Sequence, residues 1–294
     1  MTTLKITHNA GFFSCFSKRL EAIVWFYNTY KRLPDVVDST EQFALFKAQP
    51  SDNLIPLYFK EQSTTIEYTR PVSFHNDDQF SDYRTLDFVG LKPFIDKYFT
   101  PSDAVMDAVR FYEDTYKVDY ENTCVVFYRG NDKFTETNVA GYEVFLKRAR
   151  EFRQANPTVT FLVQTDETEF LEAFMNEFPG SITFAETPSM SKIASTIHDE
   201  LPQHDRAEHG RTFYAAILVL ARCKYLITHS GNGSLWAVLY RGNCEHVDQD
   251  FNNSWNYSRF SPYALWYTYK KYLKGIFSFL RIKKHSYWSV IESK

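Results

Sequence analysis

The chain has 294 residues, 44% hydrophobic and 23% charged, a globular balance with enough apolar material for one large domain or two of ordinary size. Its formal net charge of −3 argues against a general nucleic-acid binder, because phosphate backbones reward a strongly basic surface. No 18-residue apolar run occurs, and Met1 to His8 lacks the apolar core of a signal peptide, so neither a transmembrane helix nor a leader is expected.

Leu4 to Thr7 reads as a short strand and Asn9-Ala10-Gly11 as a turn. Ser17 then precedes a helical stretch, Lys18 to Tyr30, which Pro34 ends before a strand at Val36-Val37-Asp38. Strand, loop, helix and strand in that order open a doubly wound α/β layer. Residues 50–100 have weak periodicity and read as loops with short elements. Pro101-Ser102-Asp103 starts the helix Ala104 to Tyr116, with Ser102 or Asp103 as its cap. A second α/β series follows. Thr123 to Tyr128 is a continuous apolar run of strand length, as in parallel strands buried on both faces. Further helices are expected at Gly141–Ala155, Glu169–Phe178, Thr212–Ala221 and Ser234–Tyr240. Strands are expected at Thr158–Gln164, Ser181–Ala185 and Tyr225–Thr228. Such alternation implies parallel sheets with right-handed crossovers.

The aromatic share is 18%, with 27 Phe and 20 Tyr, which favours bulky cores over a groove for sugar rings. Cys15, Cys124, Cys223 and Cys244 have no CxxC or zinc-ligand spacing and read as free thiols in a reducing, cytoplasmic compartment.

Ligands of open α/β sheets bind beyond the carboxyl ends of the strands, so the residues that follow each strand carry the candidate chemistry. The loop Arg129-Gly130-Asn131-Asp132-Lys133 leads on to Glu136. Arg129 suits a diphosphate, since its planar fork gives two parallel charge-assisted hydrogen bonds. Asp132 could lock Arg129 or orient Lys133, and Glu136 could take a proton from an attacking hydroxyl; the same residues also make a solvated turn. Thr228-His229-Ser230-Gly231-Asn232-Gly233-Ser234 joins a strand to an apolar helix, where free N–H groups and the helix dipole would favour an anion. It is neither a Walker A loop nor GxGxxG, and a tight turn with a Ser cap is the alternative. Thr165 and Asp166 end another strand; Asp166 could bond a ribose, though capping the next helix is commoner. His204-Asp205-Arg206 precedes Gly210-Arg211, and Arg206 could add charge for the same phosphates.

In this order the segments resemble the donor half of the α1,6-fucosyltransferase and protein O-fucosyltransferase superfamily, over roughly residues 120–242. The resemblance implies a GT-B fold: two Rossmann-like domains with parallel sheets facing a central cleft. Residues 1–115 would be the acceptor-side domain, with Asn9, Gly11 and Phe12 in place of the family's Gly-rich loop. Residues 116–260 would hold the nucleotide sugar. Residues 261–294 would be a basic aromatic tail, helical and packed back on the first domain. The family implies an inverting transfer from GDP-fucose to a glycan hydroxyl, with no metal or other cofactor. Arg129 would offset leaving-group charge with help from Asp132 and Lys133. Thr165, Asp166, Arg206, His229 and the 230–234 turn would bind the donor, and Glu136 would be the base, one residue off the family position. Two departures leave the donor base open: Phe127 stands where the family often has His, and Tyr214-Ala215-Ala216-Ile217 where it often has Asp.

The tail from Tyr263 carries seven Lys or Arg and one acidic residue, so peripheral contact with an anionic membrane is the alternative to packing on the protein. Two further readings stay open: a transferase using another nucleotide sugar, and a non-catalytic glycan- or protein-binding module of the same fold.

Overall fold

A computed structural model describes residues 1–130, 140–191, 201–250 and 287–292. The N-terminal sheet starts with β1 (Thr2–Ile6), whose residues Thr2, Leu4 and Ile6 alternate into the core. Helix α1 (Phe12–Tyr30) follows, and β2 (Val36–Asp38) returns parallel to β1. Helix α1 begins earlier than its sequence signal, with Gly11 as N-cap, so Ser17 lies inside the helix and buried. Its first turn is Phe12-Phe13, driven inward by a cluster that includes Phe43, Tyr58, Phe213 and Tyr214.

Between residues 50 and 120 lie α2 (Ile55–Tyr58), α3 (Phe88–Tyr98) and α4 (Asp103–Tyr116), with single turns at 76–80 and 83–85. Helix α3 replaces part of the expected loop region. Gly90 and Pro93 mask its signal, yet Leu91, Phe94, Ile95 and Tyr98 are buried at helical spacing. Asp87 accepts from the Gly90 N–H and starts the helix. Helix α4 matches its expected cap: Ser102 Oγ accepts from the Val105 N–H.

The second sheet is wholly parallel, in the order β4-β3-β5-β6. Its strands are β3 (Thr123–Tyr128), β4 (Thr160–Thr165), β5 (Tyr225–His229) and β6 (Val247–Asp250). All six residues of β3 are buried, the pattern expected of a central parallel strand. The connecting helices are α5 (Tyr142–Ala155), α6 (Thr168–Glu177), α7 (Arg206–Arg222) and α8 (Asn232–Arg241). Ser181–Ala185 is not a ladder strand. Ile182 alone bridges Leu162, and the chain turns away at Phe184–Thr187.

The tail was expected to be helical, but its described part is β7 (Trp288–Glu292), an antiparallel edge strand on β1. Val290 and Ile291 favour extended backbone there, and β1 has an open edge to pair. The rest of the tail lies outside the described residues. One core runs from Leu4 and Ile6 through α1, α4 and α7 to Leu226 and Trp236, and a second lies between the β3–β4 pair and helices α5 and α6. Arg19 is 2% exposed in the first core, against the rings of Phe59 and Phe99, and donates to the Tyr98 carbonyl. Burial lowers its pKa to about 10, and the two aromatic faces offset part of that cost.

Cys15, Cys124 and Cys223 are buried and all four cysteines are free thiols. No helix among the described residues is long and apolar enough to cross a membrane.

Gly210 in α7 leaves no room for a side chain: an added Cβ would sit 2.6 Å from Tyr58 Oη and 2.7 Å from Phe12 Cε2. Gly210→Ala is expected to destabilise the fold by roughly 1–3 kcal/mol in denaturant melts, since α7 must back away from α1 and α2.

Candidate active site

The parallel register gathers the candidate residues. Tyr128 pairs with Thr165 across β3 and β4, and Phe127 with Thr228 across β3 and β5. Arg129, Asp166 and Ser230 therefore leave three adjacent strand ends, with neighbouring strands about 5 Å apart. Asp166 does not cap α6, whose N-cap is Glu167 without a side-chain bond. Its carboxylate turns to the neighbouring loop instead. Oδ2 accepts from Arg129 Nε at 2.7 Å and Oδ1 from the Gly130 N–H at 3.0 Å. Asp166 thus locks Arg129 from the neighbouring strand. The pair is half-sheltered, with side-chain exposures of 27% and 10%, so the charge-assisted bond is stronger than a surface contact.

Glu167 is a site residue that sequence reasoning missed. It is fully buried and accepts a short hydrogen bond from the Tyr142 hydroxyl. Gly130 presses against it: a Cβ there would fall 1.4 Å from Glu167 Oε2. Burial, then the Glu167 carboxylate, pushes the Tyr142 phenol up, so Tyr142 remains a donor. The only sequence signal was a second acid directly after Asp166. Thr165 Oγ1 accepts from the Glu167 N–H at 3.1 Å and fixes the exit of β4.

The 228–234 turn is held by both halves of the chain. Gly231 has φ +153° and ψ 163°, a region essentially restricted to glycine. Its N–H donates to Tyr83 Oη at 3.0 Å, and Tyr83 Oη lies 3.0 Å from its carbonyl. Gln249 accepts from the Tyr83 N–H and donates to Ser230 Oγ. Ser17 Oγ donates to Asn232 Oδ1 at 2.6 Å and accepts from Trp236 Nε1 at 2.9 Å. Ser234 shares a 2.7 Å bond with Thr228. His229 Nδ1 lies 2.5 Å from the Ser230 carbonyl, which makes Nδ1 the protonated nitrogen. The N–H groups of Asn232, Gly233 and Ser234 open α8 and have no carbonyl of that helix to bond. Phe127 lies beneath them, its ring 3.0 Å from where a Gly233 Cβ would stand.

The other expected residues divide. Asp132, Lys133 and Glu136 lie outside the described residues. Arg206 opens α7 and donates through Nε to the Leu201 carbonyl; no hydrogen bond joins it to Arg129, Asp166 or the 228–234 turn among the described residues. Asn9 braces the exit of β1, donating to the Glu41 carbonyl and accepting from the Ala44 N–H. Gly11 has open space beside it. Phe12 is 5% exposed and belongs to the aromatic core, so it cannot line an acceptor surface. His8, beside Asn9, shares a 3.0 Å hydrogen bond with Ser14, and burial with the Lys18 charge lowers its pKa to about 4.

These features belong to an α/β fold that is similar to the fold of solved fucosyltransferases. The solved structures that share it include NodZ α-1,6-fucosyltransferase soaked with GDP-fucose, at TM-score 0.51 and 14% identity over 80% of this chain and 91% of that one. Fucosyltransferase NodZ from Bradyrhizobium matches at TM-score 0.52 and 13% identity, over 79% and 91%. NodZ co-crystallised with GDP matches at TM-score 0.51 and 14% identity, over 79% and 90%. No protein-family model matches the chain, and comparison with curated proteins found no match.

Two outcomes follow from this geometry. Tyr83→Phe leaves the buried Gly231 amide without its acceptor and is expected to cost about 1–3 kcal/mol in a denaturant titration. His8 is held neutral, below its usual pKa of about 6.5. Its contribution to stability is present above that value and lost as pH falls through about 4. The unfolding midpoint of His8→Gln is therefore expected to fall less between pH 7 and pH 4 than that of the wild type.

Proposed function

We propose that the chain is an inverting, metal-independent glycosyltransferase of GT-B arrangement. It would move a sugar from a nucleotide diphosphate, with GDP-fucose the first candidate, to a glycan hydroxyl. The observation that carries this reading is Arg129, fixed by Asp166 at the exit of β3 and one strand away from the N-terminal turn of α8. The fold shared with NodZ, soaked with GDP-fucose in one structure, supports it.

In such a transfer the acceptor oxygen bonds to C1 of the sugar while the bond from C1 to the diphosphate oxygen breaks. The departing diphosphate needs positive charge and N–H donors already in place, because fixed dipoles need no reorganisation as charge develops. Arg129 supplies the charge, with Lys133 in reserve. The amides of Asn232, Gly233 and Ser234 supply donors at the positive end of α8. The Gly231 amide is given to Tyr83, so the proposed anion site begins at Asn232 and not at Ser230. Glu136 is the proposed base, assisted by Asp132. Thr165 and His229 shape the donor side, Arg206 adds charge at the rim, and Asn9 and Gly11 border the acceptor side.

One observation favours a donor base other than guanine. Tyr214, Ala215, Ala216 and Ile217 are each fully buried, so none of them can read a purine edge. A transferase for another nucleotide sugar is therefore the second reading.

Thermal-shift titration with GDP, UDP, ADP and CMP tests both. Saturating the preferred diphosphate at 100-fold above its dissociation constant is expected to add about 2.7 kcal/mol, several degrees in Tm. Arg129→Lys is expected to lower turnover by roughly 100- to 1,000-fold, since an ammonium cannot give two parallel bonds. Nucleotide release at a near-normal rate in that variant, or a flat response to every nucleotide, removes the donor assignment.

A further inference from the structure

A cavity of about 820 Å³ lies along the outer side of α1, walled by the segment 70–75 and by Tyr287 and Trp288 at the start of β7. That volume is within the range of small-molecule sites. Its walls are fixed: Asn28 on α1 donates to the Val72 carbonyl at 2.7 Å and accepts from the Val72 N–H at 3.0 Å. Four aromatic side chains line it, Trp25, Phe74, Tyr287 and Trp288. Trp25 is 39% exposed and Tyr287 44%, and the rings of Trp25 and Trp288 lie 5.9 Å apart. Large apolar side chains left in water around a concave site mark a binding surface.

The charged groups of the cavity decide what kind of ligand suits it. Arg70 and Asp87 hold each other through two bonds of 2.7 Å. Glu21 is bonded to Lys18 at 2.6 Å and to His75 at 3.1 Å. A phosphate or sulfate would have to break one of these pairs, and a fatty chain would strip them of water without replacing its hydrogen bonds. An uncharged polyhydroxylated ligand does neither. Its hydroxyls can bond the exposed edges of Arg70, His75 and Asp87, while its C–H faces rest on the negative faces of the indoles.

We propose that this groove binds an uncharged saccharide chain. Its position suits the part of an acceptor that does not react. Glu21 is one helical turn beyond Ser17, whose hydroxyl bonds Asn232 in the α8 turn. Tyr287 closes the exit of β1, its carbonyl accepting from the Thr7 N–H and its ring 4.8 Å from His8. The groove therefore runs from the strand ends outward along α1. Binding itself stands on the groove alone; the role as acceptor site rests on the transferase reading.

The test is calorimetric titration of the full chain with hexasaccharides of glucose, mannose and N-acetylglucosamine, and with a heparin hexasaccharide as the charged control. At least one neutral hexasaccharide is expected to bind saturably and heparin to be inert. Trp25→Ala is expected to weaken binding by about tenfold, and Trp25→Phe to stay within about threefold of wild type, because the phenyl ring keeps a stacking face. The Phe variant also separates lost stacking from lost folding. No saturable binding by any neutral hexasaccharide at millimolar concentration overturns the proposal, as does binding indifferent to Trp25→Ala or displaced by heparin. A silent saccharide panel beside a positive nucleotide shift removes the groove alone. Saccharide binding beside a flat nucleotide response removes the transferase reading and leaves the groove.

Discussion

The Asp166 carboxylate is the constraint on which the site depends. It sits at the end of one strand and holds two groups at the end of the next, the guanidinium of Arg129 and the amide of Gly130. Those two bonds orient Arg129 before any ligand arrives. They also draw Gly130 against the buried Glu167, which only a residue without a side chain permits. The dipoles of the arrangement are set by the fold and are in place before any ligand arrives.

The turn that faces Arg129 is built from both ends of the sequence. Tyr83 and Gln249 clasp Ser230 and Gly231, while Ser17 reaches Asn232 from α1. Together they tie the first turn of α8 to helix α1 and to the segment around Tyr83. The continuous core beneath them, from Leu4 to Trp236, has the same effect on a larger scale.

What the sequence disclosed follows from the range of the forces involved. The strand Thr123–Tyr128 was legible because a parallel strand buried on both faces must be apolar throughout. The cap Ser102 was legible because capping is local. Helix α3 was obscured by Gly90 and Pro93, whose cost is outweighed by burial of Leu91, Phe94, Ile95 and Tyr98, a tertiary gain that no local window contains. The same limit applied in the site. Arg129 and Asp166 were both singled out, but the pairing between them is a contact across two strands, and the sequence shows only acids that are near in the chain. Tyr83 is 148 residues from Gly231, and nothing in its own surroundings marks it. The family resemblance put Phe12 on the acceptor side, in the place of a Gly-rich loop, yet seven aromatic partners draw it inward.

The pairing of β7 with β1 has a consequence for biosynthesis. Thr7 bonds Tyr287 across 280 residues of chain, so during synthesis β1 finds its second neighbour only after the last helix described here has been made. Until then the β1 edge carries unsatisfied amides and carbonyls, the template on which strands of other molecules pair. Contacts of such separation also slow folding, because the loop entropy is lost before the contact is gained. A truncation before Trp288 leaves that edge of β1 uncovered permanently.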